Sequence, residues 1–374
     1  MNKLFDTEIK SKKVFLVEIR DTCTSKELSE SLDKESRALI ATLGLEIIAY
    51  ELVKVRDKQP KYGMGSGKAA EIAEKAVQIK ADCLIFDLEL SPSRQKQWEE
   101  LSGIPVLDRQ ELIIRIFSEH AKTKEAELQV KLAELEYSLP RLAHKYIDLS
   151  RQRGGHYGTR GSGETKLETD RRKVQQQIQK LEKELEEIKK QRETRRKQRK
   201  RQGIPVCAIV GYTNSGKSSL LNALTGADVL VEDKLFATLD TATKRFEYKP
   251  GSNILLTDTV GFIRRLPHSL IKAFRSTLEE AVLADLLIHV LDASDPDIQA
   301  YYNTTLAVLA ELGAENIPVI TILNKIDKLE GISASERESL KTAFPESIFT
   351  SVKTKTGLAE LKEKISDVFC LSKN

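Results

Sequence analysis

The N-terminal part of the chain alternates short apolar runs with longer amphipathic runs. The apolar runs, which are typical of buried strands, cover residues 13–20, 45–56, 82–87 and 104–107. Between them, apolar residues recur at helical spacing. Alternation of strands and helices favours a parallel or mixed sheet flanked by helices. We therefore predict an N-terminal α/β domain at residues 1–109.

Strand signals stop beyond Glu111, and apolar residues then recur at alternating spacings of four and three, which is the pattern of a coiled-coil seam. This seam consists of Leu128, Leu132, Leu135, Leu139, Leu142, Tyr146 and Leu149. Pro140 interrupts the run, so a kink is expected there.

A second helix is predicted to begin at a capping box formed by Thr165 and Glu168. Its seam consists of Leu167, Val174, Ile178, Leu181, Leu185 and Ile188. Two helices with one apolar stripe each bury those stripes by packing antiparallel. Residues 110–202 are therefore predicted to form a long antiparallel helical hairpin, with the glycine-rich segment 153–163 at its tip.

Gly203 and Pro205 are expected to end the second helix and to begin a third domain at residues 203–374. Near its start, an apolar strand at 206–210 leads into Gly-Tyr-Thr-Asn-Ser-Gly-Lys-Ser at 211–218, which matches the phosphate-loop pattern G-x-x-x-x-G-K-S. In such a loop Lys217 neutralises the β- and γ-phosphates, and Ser218 offers its hydroxyl to Mg²⁺.

Two further motifs follow in the order that a GTP site requires. Asp258 ends an apolar strand, where it can hold Mg²⁺ through water, and the Gly261 amide can meet the γ-phosphate. Asn324 and Asp327 follow the buried strand 317–323. A carboxylate that accepts two hydrogen bonds pairs with the ring N–H and amine of guanine, and adenine lacks this pair of donors. GTP is therefore favoured over ATP.

Residues 204–370 resemble the translation-factor class of P-loop GTPases. This resemblance implies a doubly wound, mostly parallel sheet, a first switch at 236–240, and Thr238 as a second protein ligand of Mg²⁺. It also implies a guanine-shielding loop at 351–353, where many relatives have Ser-Ala-Lys instead of Ser-Val-Lys. Lys217, Thr238 and Gly261 are the expected catalytic residues, and Ser218, Thr238 and Asp258 (through water) are the expected metal ligands. The residues expected around the nucleotide are Gly211, Tyr212, Thr213, Asn214, Ser215, Gly216, Lys217, Ser218, Phe236, Ala237, Thr238, Leu239, Asp240, Asp258, Thr259, Val260, Gly261, Asn324, Lys325, Ile326, Asp327, Ser351, Val352 and Lys353.

Phe262 stands where many GTPases have a glutamine that orients the attacking water. A phenyl ring cannot orient water by hydrogen bonding, so slow intrinsic hydrolysis and acceleration by a partner are expected. The alternative is a degenerate domain that binds the nucleotide without turnover.

Several motifs in the first 200 residues resemble the HflX family, and the resemblance spans nearly the whole chain. They are Tyr-Gly-Met-Gly-Ser-Gly-Lys at 62–68, Ile-Phe-Asp at 85–87 with Leu-Ser-Pro at 90–92, Val-Leu-Asp-Arg at 106–109, Ala-Lys-Thr-Lys-Glu at 121–125, and Gly-Thr-Arg-Gly-Ser-Gly-Glu-Thr at 158–165 with Leu-Glu-Thr-Asp-Arg at 167–171. The resemblance implies a GTPase that binds the large ribosomal subunit and splits or rescues stalled ribosomes. A passive assembly or hibernation factor, which binds the ribosome in its GTP form, is the alternative.

The glycine-rich tip has the chemistry to contact ribosomal RNA. Arg151, Arg153 and Arg160 suit phosphate contacts, and His156 and Tyr157 suit stacking on bases. A flexible surface loop with solvated charges is the alternative. The basic run at 189–201 is equally ambiguous between attraction to RNA and a solvated helix end.

The segment 62–68 invites a second phosphate-loop assignment, but Tyr62 replaces the required glycine and Ala69 replaces the Mg²⁺-binding hydroxyl residue. A tight turn from a strand into a helix is therefore favoured over a second nucleotide site.

Composition narrows the class of protein. The chain has 374 residues, of which 40% are hydrophobic, and its basic residues exceed its acidic ones by only four (60 against 56). This length allows several domains with cores of their own. The first apolar stretch, 14–19, is too short for a signal peptide or a membrane span. We expect a cytoplasmic, ribosome-associated monomer without membrane insertion, and buried thiols in a reducing compartment.

Overall fold

The fold is taken from a computed structural model. It describes residues 13–57, 59–142, 162–229, 231–232, 234–239, 241–265, 267, 270, 275–329 and 334–371. The chain divides into two compact units. The N-terminal unit comprises Met1–Glu119 and Glu127–Glu186, and the C-terminal unit comprises His120–Ala126 and Glu187–Asn374. The predicted three-domain boundaries at 109 and 202 stay a prediction.

The N-terminal unit contains a four-stranded parallel sheet with the order β2-β1-β3-β4. Its strands are β1 (Lys13–Asp21), β2 (Glu46–Val55), β3 (Cys83–Phe86) and β4 (Val106–Asp108). Its helices are α1 (Lys26–Thr42), α2 (Ser66–Gln78), α3 (Pro92–Ser102) and α4 (Arg109–His120). The alternation of strands and helices predicted from the sequence is confirmed.

Local chemistry explains where these helices begin and end. The Ser25 side chain accepts a hydrogen bond from Leu28 N at the start of α1, and Ser91 accepts one from Arg94 N at the start of α3. α3 ends at Gly103, whose φ of 70° lies in the left-handed region that glycine adopts without strain. Trp98 on α3 is fully buried, with its ring centroid 4.7 Å from that of Phe86 on β3.

Five charged side chains are buried together at the carboxyl end of the parallel sheet. Arg20 contacts Glu18 at 2.9 Å and Asp87 at 2.8 Å, and Arg109 contacts both Asp87 and Glu35. Burial outweighs the attraction of Arg20 and raises the pKa of Glu18 to about 7. The cluster is therefore sensitive to proton binding in the neutral range.

Two long helices follow, α5 (Lys124–Ser138) and α6 (Ser162–Arg201). A 3₁₀ turn at Leu139–Arg141 ends α5 at the position of the predicted kink. Leu135 and Leu142 are buried against Val174, as the two predicted seams require. The predicted helix start is wrong, because α6 already begins at Ser162 and Thr165 lies inside it. Residues 153–161 of the predicted tip lie outside the described residues. The side chains of Arg153, His156, Tyr157 and Arg160 therefore lie outside them as well.

The helix α5 is fastened to the N-terminal sheet by polar contacts. Tyr137 Oη lies 3.1 Å from Asp108 Oδ1 at the end of β4. The guanidinium of Arg141 lies 3.5 Å from the centroid of the Tyr137 ring and donates to Leu90 O at 2.9 Å. Burial raises the pKa of Asp108 to about 6. These contacts hold the base of the helical pair on this unit.

The C-terminal unit contains a six-stranded sheet with the order β10-β9-β8-β5-β7-β6, in which β6 and β7 are antiparallel and the other pairs are parallel. Its strands are β5 (Val206–Gly211), β6 (Ala242–Lys249), β7 (Ser252–Asp258), β8 (Leu286–Asp292), β9 (Val319–Asn324) and β10 (Ile348–Phe349). Its helices are α7 (Lys217–Thr225), α8 (Arg275–Val282), α9 (Ile298–Glu311), α10 (Ala334–Ala343) and α11 (Leu358–Leu371). The predicted doubly wound, mostly parallel sheet is confirmed.

Among the described helices, none combines the length and apolar character needed to cross a bilayer. The expectation of buried thiols is right for Cys83 and Cys207 and wrong for Cys23 and Cys370, which are exposed.

Candidate nucleotide-binding site

An open cleft lies at the carboxyl ends of the central strands in the C-terminal unit. Open parallel sheets bind ligands at this edge, because the loops that follow the strands meet there. Its walls include the predicted residues Thr213, Asn214, Gly216, Lys217, Ser218, Phe236, Ala237, Thr238 and Gly261. Four wall residues were missed by the motifs, namely Ser219, Val231, Glu232 and Lys234. The last three directly precede the first switch, so only their position along the chain could have indicated them.

The phosphate loop turns tightly between β5 and α7, and its two glycines are required by their surroundings. Gly211 has a φ of 150° and Gly216 a φ of 100°. A Cβ atom at Gly211 would collide with Val290 O, and one at Gly216 would collide with Asn324 Nδ2. A side chain at Gly211 would therefore displace the backbone of β8, and one at Gly216 would displace the buried side-chain amide of Asn324.

Lys217 lies at the start of α7 with its side chain buried. Its Nζ donates to Tyr212 O at 2.7 Å, so the ammonium curls back over the phosphate loop. Burial lowers the pKa of Lys217 to about 8, because the charged form loses its hydration. A phosphate group at the loop would restore a favourable environment for the ammonium.

Three buried oxygen atoms on the phosphate loop and at the end of β7 have no hydrogen-bond partner within the described part of the chain. They are Thr213 Oγ1, Ser215 Oγ and Asp258 Oδ1. Unpaired buried polar atoms cost free energy, and folded proteins keep them mainly where a ligand or water pairs with them. Their grouping on the phosphate loop and at the end of β7 fits a polar ligand such as a nucleotide phosphate.

The residues expected to hold Mg²⁺ come together although they lie far apart in sequence. Ser218 Oγ lies 2.6 Å from Thr238 Oγ1 and donates to Asp258 Oδ2 at 2.5 Å. Hydroxyl and carboxylate oxygens are the ligands that Mg²⁺ prefers. The donor set therefore fits this ion, with the unpaired Asp258 Oδ1 also available to bound water.

The first switch enters the cleft from the loop before β6. Phe236 has a φ of 57° and a buried side chain, and Leu239 is also buried. These two apolar anchors place Ala237 and Thr238 on the cleft wall. Asp240 lies outside the described residues.

The loop after β7 is hydrogen-bonded to the phosphate loop. Phe262 N donates to Gly211 O at 3.1 Å, and Thr213 N donates to Phe262 O at 2.8 Å. A Cβ atom at Gly261 would lie 2.8 Å from Thr213 Cα and 2.9 Å from Lys217 Nζ, so glycine permits this close approach. The Phe262 ring is 1% exposed and takes no part in the cleft surface.

The residues around this loop are anchored in the core. Thr259 Oγ1 donates to Ile209 O at 2.7 Å, and Val260 is buried. Tyr212 was expected at the nucleotide, and its ring stacks on Tyr301 of α9 with centroids 3.8 Å apart. Arg264 N donates to Tyr212 Oη at 2.8 Å. No sequence motif indicated that Tyr301 would stack on Tyr212.

The expected guanine pocket is assembled from two loops. Ser351 Oγ donates to Asp327 Oδ1 at 2.5 Å, which lowers the pKa of Asp327 and keeps it an ionised acceptor. Val352 N lies 3.3 Å from Asn324 Oδ1, so the shielding loop is held against the end of β9. Lys353 is exposed, and Ile326 lies in the 3₁₀ helix Ile326–Leu329.

The alternative phosphate loop at 62–68 is arranged differently. Lys68 Nζ contacts Glu51 at 2.9 Å and Glu71 at 2.8 Å, and the side chains of Tyr62 and Met64 are buried. An ammonium between two carboxylates is poorly placed for a phosphate. These contacts favour the tight turn into α2.

Three family models match successive parts of the chain. Their descriptions are GTP-binding GTPase N-terminal for residues 30–118, GTP-binding GTPase Middle Region for 120–199, and 50S ribosome-binding GTPase for 206–325. The GTPase HflX of Akkermansia muciniphila is 50% identical over 300 residues, which cover 78% of this chain and 69% of the relative. This chain belongs to the HflX family of GTPases.

A second HflX relative, from Caldanaerobacter subterraneus, is 45% identical over 342 residues, covering 91% of this chain and 78% of the relative. A solved structure, the SsGBP and GDP complex, is 29% identical and covers 95% of this chain and 98% of its own, with a TM-score of 0.50. The resemblance to HflX noted from the motifs is thus confirmed along most of the chain.

Proposed function

We propose that this HflX chain binds GTP in the cleft of its C-terminal unit and hydrolyses it while bound to the large ribosomal subunit. The main support is that the side chain of Ser218 lies within hydrogen-bond distance of those of Thr238 and Asp258, close to the buried ammonium of Lys217. Asp327, kept ionised by Ser351, adds the guanine acceptor. The description 50S ribosome-binding GTPase of the matching model supports the partner.

The chain's own residues account for binding and for charge stabilisation. Lys217 and the amides of the phosphate loop neutralise the β- and γ-phosphates, and the Gly261 amide faces the γ-phosphate. Ser218 and Thr238 would hold Mg²⁺, with Asp258 acting through water. When bound, this ion neutralises the charge that develops on the phosphate oxygens.

Water activation is the missing part of the site. Phe262 is buried and has no polar atom with which to orient the attacking water. Turnover by the isolated protein is therefore expected to be slow, and the ribosome is expected to complete the site. GTP turnover should be measured with and without large subunits, using Lys217→Ala as the inactive control. Equal rates with and without subunits would contradict the role of the partner.

We propose that the chain couples GTP binding and hydrolysis to the splitting or rescue of stalled ribosomes. Light scattering of intact ribosomes tests this in three mixtures: the protein with GTP, the protein with a non-hydrolysable GTP analogue, and the Lys217→Ala variant with GTP. A drop in scattering that requires nucleotide binding supports splitting. Ribosomes that bind the protein but stay joined would make it a passive assembly or hibernation factor.

The RNA contact is proposed to lie in the glycine-rich tip, where Arg153 and Arg160 have the chemistry for phosphate binding. Arg153→Ala combined with Arg160→Ala should weaken co-sedimentation with ribosomes and flatten its dependence on salt. Unchanged binding across the salt series would remove the tip from the interface. We also infer that the chain is a cytoplasmic monomer, and sedimentation of the free protein tests its oligomeric state.

A further inference from the structure

Asp292 is the last residue of β8, next to the phosphate loop but absent from every motif discussed above. Both of its carboxylate oxygens are engaged. Oδ1 accepts from Ser294 N at 3.0 Å and from Ser294 Oγ at 2.6 Å. Oδ2 lies 2.8 Å from Lys325 Nζ. The Ser294 contacts hold the carboxylate in one orientation, so it presents a fixed anion to Lys325.

Lys325 also contacts the phosphate loop, so the carboxylate that holds its ammonium affects that loop. Its Nζ also donates to Asn214 O at 2.7 Å. Both residues have a left-handed backbone, with φ of 63° at Lys325 and 60° at Asn214. Such a conformation is unfavourable for lysine and is tolerated better by asparagine, so at Lys325 in particular it persists where surrounding contacts hold it. The bond between Lys325 and Asn214 is one such contact.

The carbonyl that Lys325 holds belongs to the backbone that forms the phosphate cradle. A trans peptide is planar, and its C=O and N–H point in opposite directions. Lys325 holds Asn214 O, and Ser215 N at the other side of the same peptide donates to Tyr212 O at 3.3 Å. Asn324 Nδ2 holds Ser215 O at 3.0 Å, which turns the Gly216 N–H the opposite way. The end of β9 therefore orients successive peptides of the cradle.

We propose that Asp292 is a positioning residue for the nucleotide phosphates, acting through Lys325 on the peptide between Asn214 and Ser215. This role rests on the proposed GTP site and extends it to a residue that touches neither base nor phosphate. The side chains of Asp292 and Lys325 are only 17% and 18% exposed. An ion pair so shielded from water contributes more than an ordinary surface pair.

The role predicts a specific pattern of nucleotide affinities. Asp292→Asn keeps the size of the side chain but weakens its hold on Lys325. We expect the Kd for GDP to rise roughly tenfold, mainly through faster dissociation. Because Asp327 is untouched, the affinity for IDP, which lacks the guanine amine, should fall by the same factor. A loss confined to GDP would assign Asp292 to base recognition and overturn its role in the cradle.

A double-mutant cycle tests whether Asp292 acts through Lys325. Dissociation of a fluorescent GDP analogue from the full-length chain should be measured for wild type, Asp292→Asn, Lys325→Met and the double variant. If the role is correct, Asp292→Asn causes no further loss once Lys325 is Met. Additive losses, or an unchanged Kd in Asp292→Asn, would overturn it.

Two controls keep the outcome interpretable. Asp297→Asn is a matched change in the same loop, since Asp297 makes no side-chain capping bond at the start of α9. It should leave the Kd unchanged within about twofold. Thermal unfolding without nucleotide shows whether each variant is folded. Failure of the wild-type chain to bind GDP would contradict the proposed function itself, whereas a wild-type affinity retained in Asp292→Asn contradicts only the role of Asp292.

Discussion

The side-chain amide of Asn324 joins the phosphate loop to the guanine-shielding loop. Its Nδ2 donates to Ser215 O at 3.0 Å, while its Oδ1 lies 3.3 Å from Val352 N and 3.4 Å from Thr350 Oγ1. The buried Asn324 side chain thus donates to the phosphate loop and accepts from the guanine-shielding loop. The base pocket and the phosphate cradle are therefore parts of one hydrogen-bonded structure.

Asn324→Asp should uncouple these two loops without changing the volume of the side chain. It replaces the donor with a carboxylate oxygen that faces Ser215 O, so we expect the affinity for GDP to fall by roughly a hundredfold. Titration with a fluorescent GDP analogue measures this. Asn303→Asp, on the exposed face of α9, is the matched control. Equal affinities for the two variants would contradict the coupling.

Gly216→Ala should abolish tight nucleotide binding. The added Cβ collides with Asn324 Nδ2, and the φ of 100° is unfavourable for alanine. We expect the Kd for GDP to rise at least roughly a hundredfold. Gly226→Ala is the control, because its φ of 67° is also left-handed but nothing lies near the added Cβ. That variant should lose about 1 kcal/mol of stability and keep its affinity.

Lys68→Ala and Lys217→Ala should behave differently although both lysines follow a glycine-rich turn. Lys68 is paired with Glu51 and Glu71, so its loss should leave GTP binding and turnover unchanged. Lys217→Ala should remove both. ATP turnover that survives Lys217→Ala but is lost in Lys68→Ala would instead establish a second nucleotide site at 62–68.

The stability of the N-terminal unit should depend on pH through Glu18. Its pKa is raised to about 7 by burial, with Arg20 opposing the shift and Asp87 and Asp33 adding to it. Because the folded state favours the neutral carboxyl, the contribution of Glu18 to the free energy of unfolding is fully present below the ordinary carboxyl pKa. It is lost as the pH rises through about 7. The loss should reach at most about 3 kcal/mol.

Chemical denaturation between acidic and mildly alkaline pH measures this dependence. Glu18→Gln stays neutral at all pH values, so its stability should decline less than that of the wild type as the pH rises. Glu46→Gln, at an exposed position on β2, should follow the wild type. If Glu18→Gln and the wild type decline equally, another group carries the pH dependence.

Much of the nucleotide site was predictable because its residues are contiguous and their chemistry is local. The turn at 211–218 requires glycines at two positions and a lysine at a third, wherever it occurs in a chain. The order of the phosphate, Asp258 and Asn324 motifs also favoured GTP, and the resemblance to P-loop GTPases implied the mostly parallel sheet. Ser218 and Asp258 meet because β5 and β7 are neighbours in that sheet, whereas Thr238, which the resemblance implied as a ligand, lies in the loop before β6.

Other features were not predictable, because they depend on which elements become neighbours. Tyr301 reaches Tyr212 only because α9 packs beside β5, and nothing in the sequence around Tyr301 marks it. Thr165 has the residue pattern of a helix start, yet α6 extends past it to Ser162. A capping box is a weak local preference that a longer helix overrides.

The sequence by itself determined the type of each main element, the chemistry of the phosphate loop and the preference for guanine, because these depend on side chains a few residues apart. Only the tertiary structure decided that Lys68 pairs with carboxylates and that Phe262 is buried. It also decided that Asp292 holds Lys325 against Asn214. Each of these relationships joins separate strands or loops, and their spacing is set by strand order and core packing.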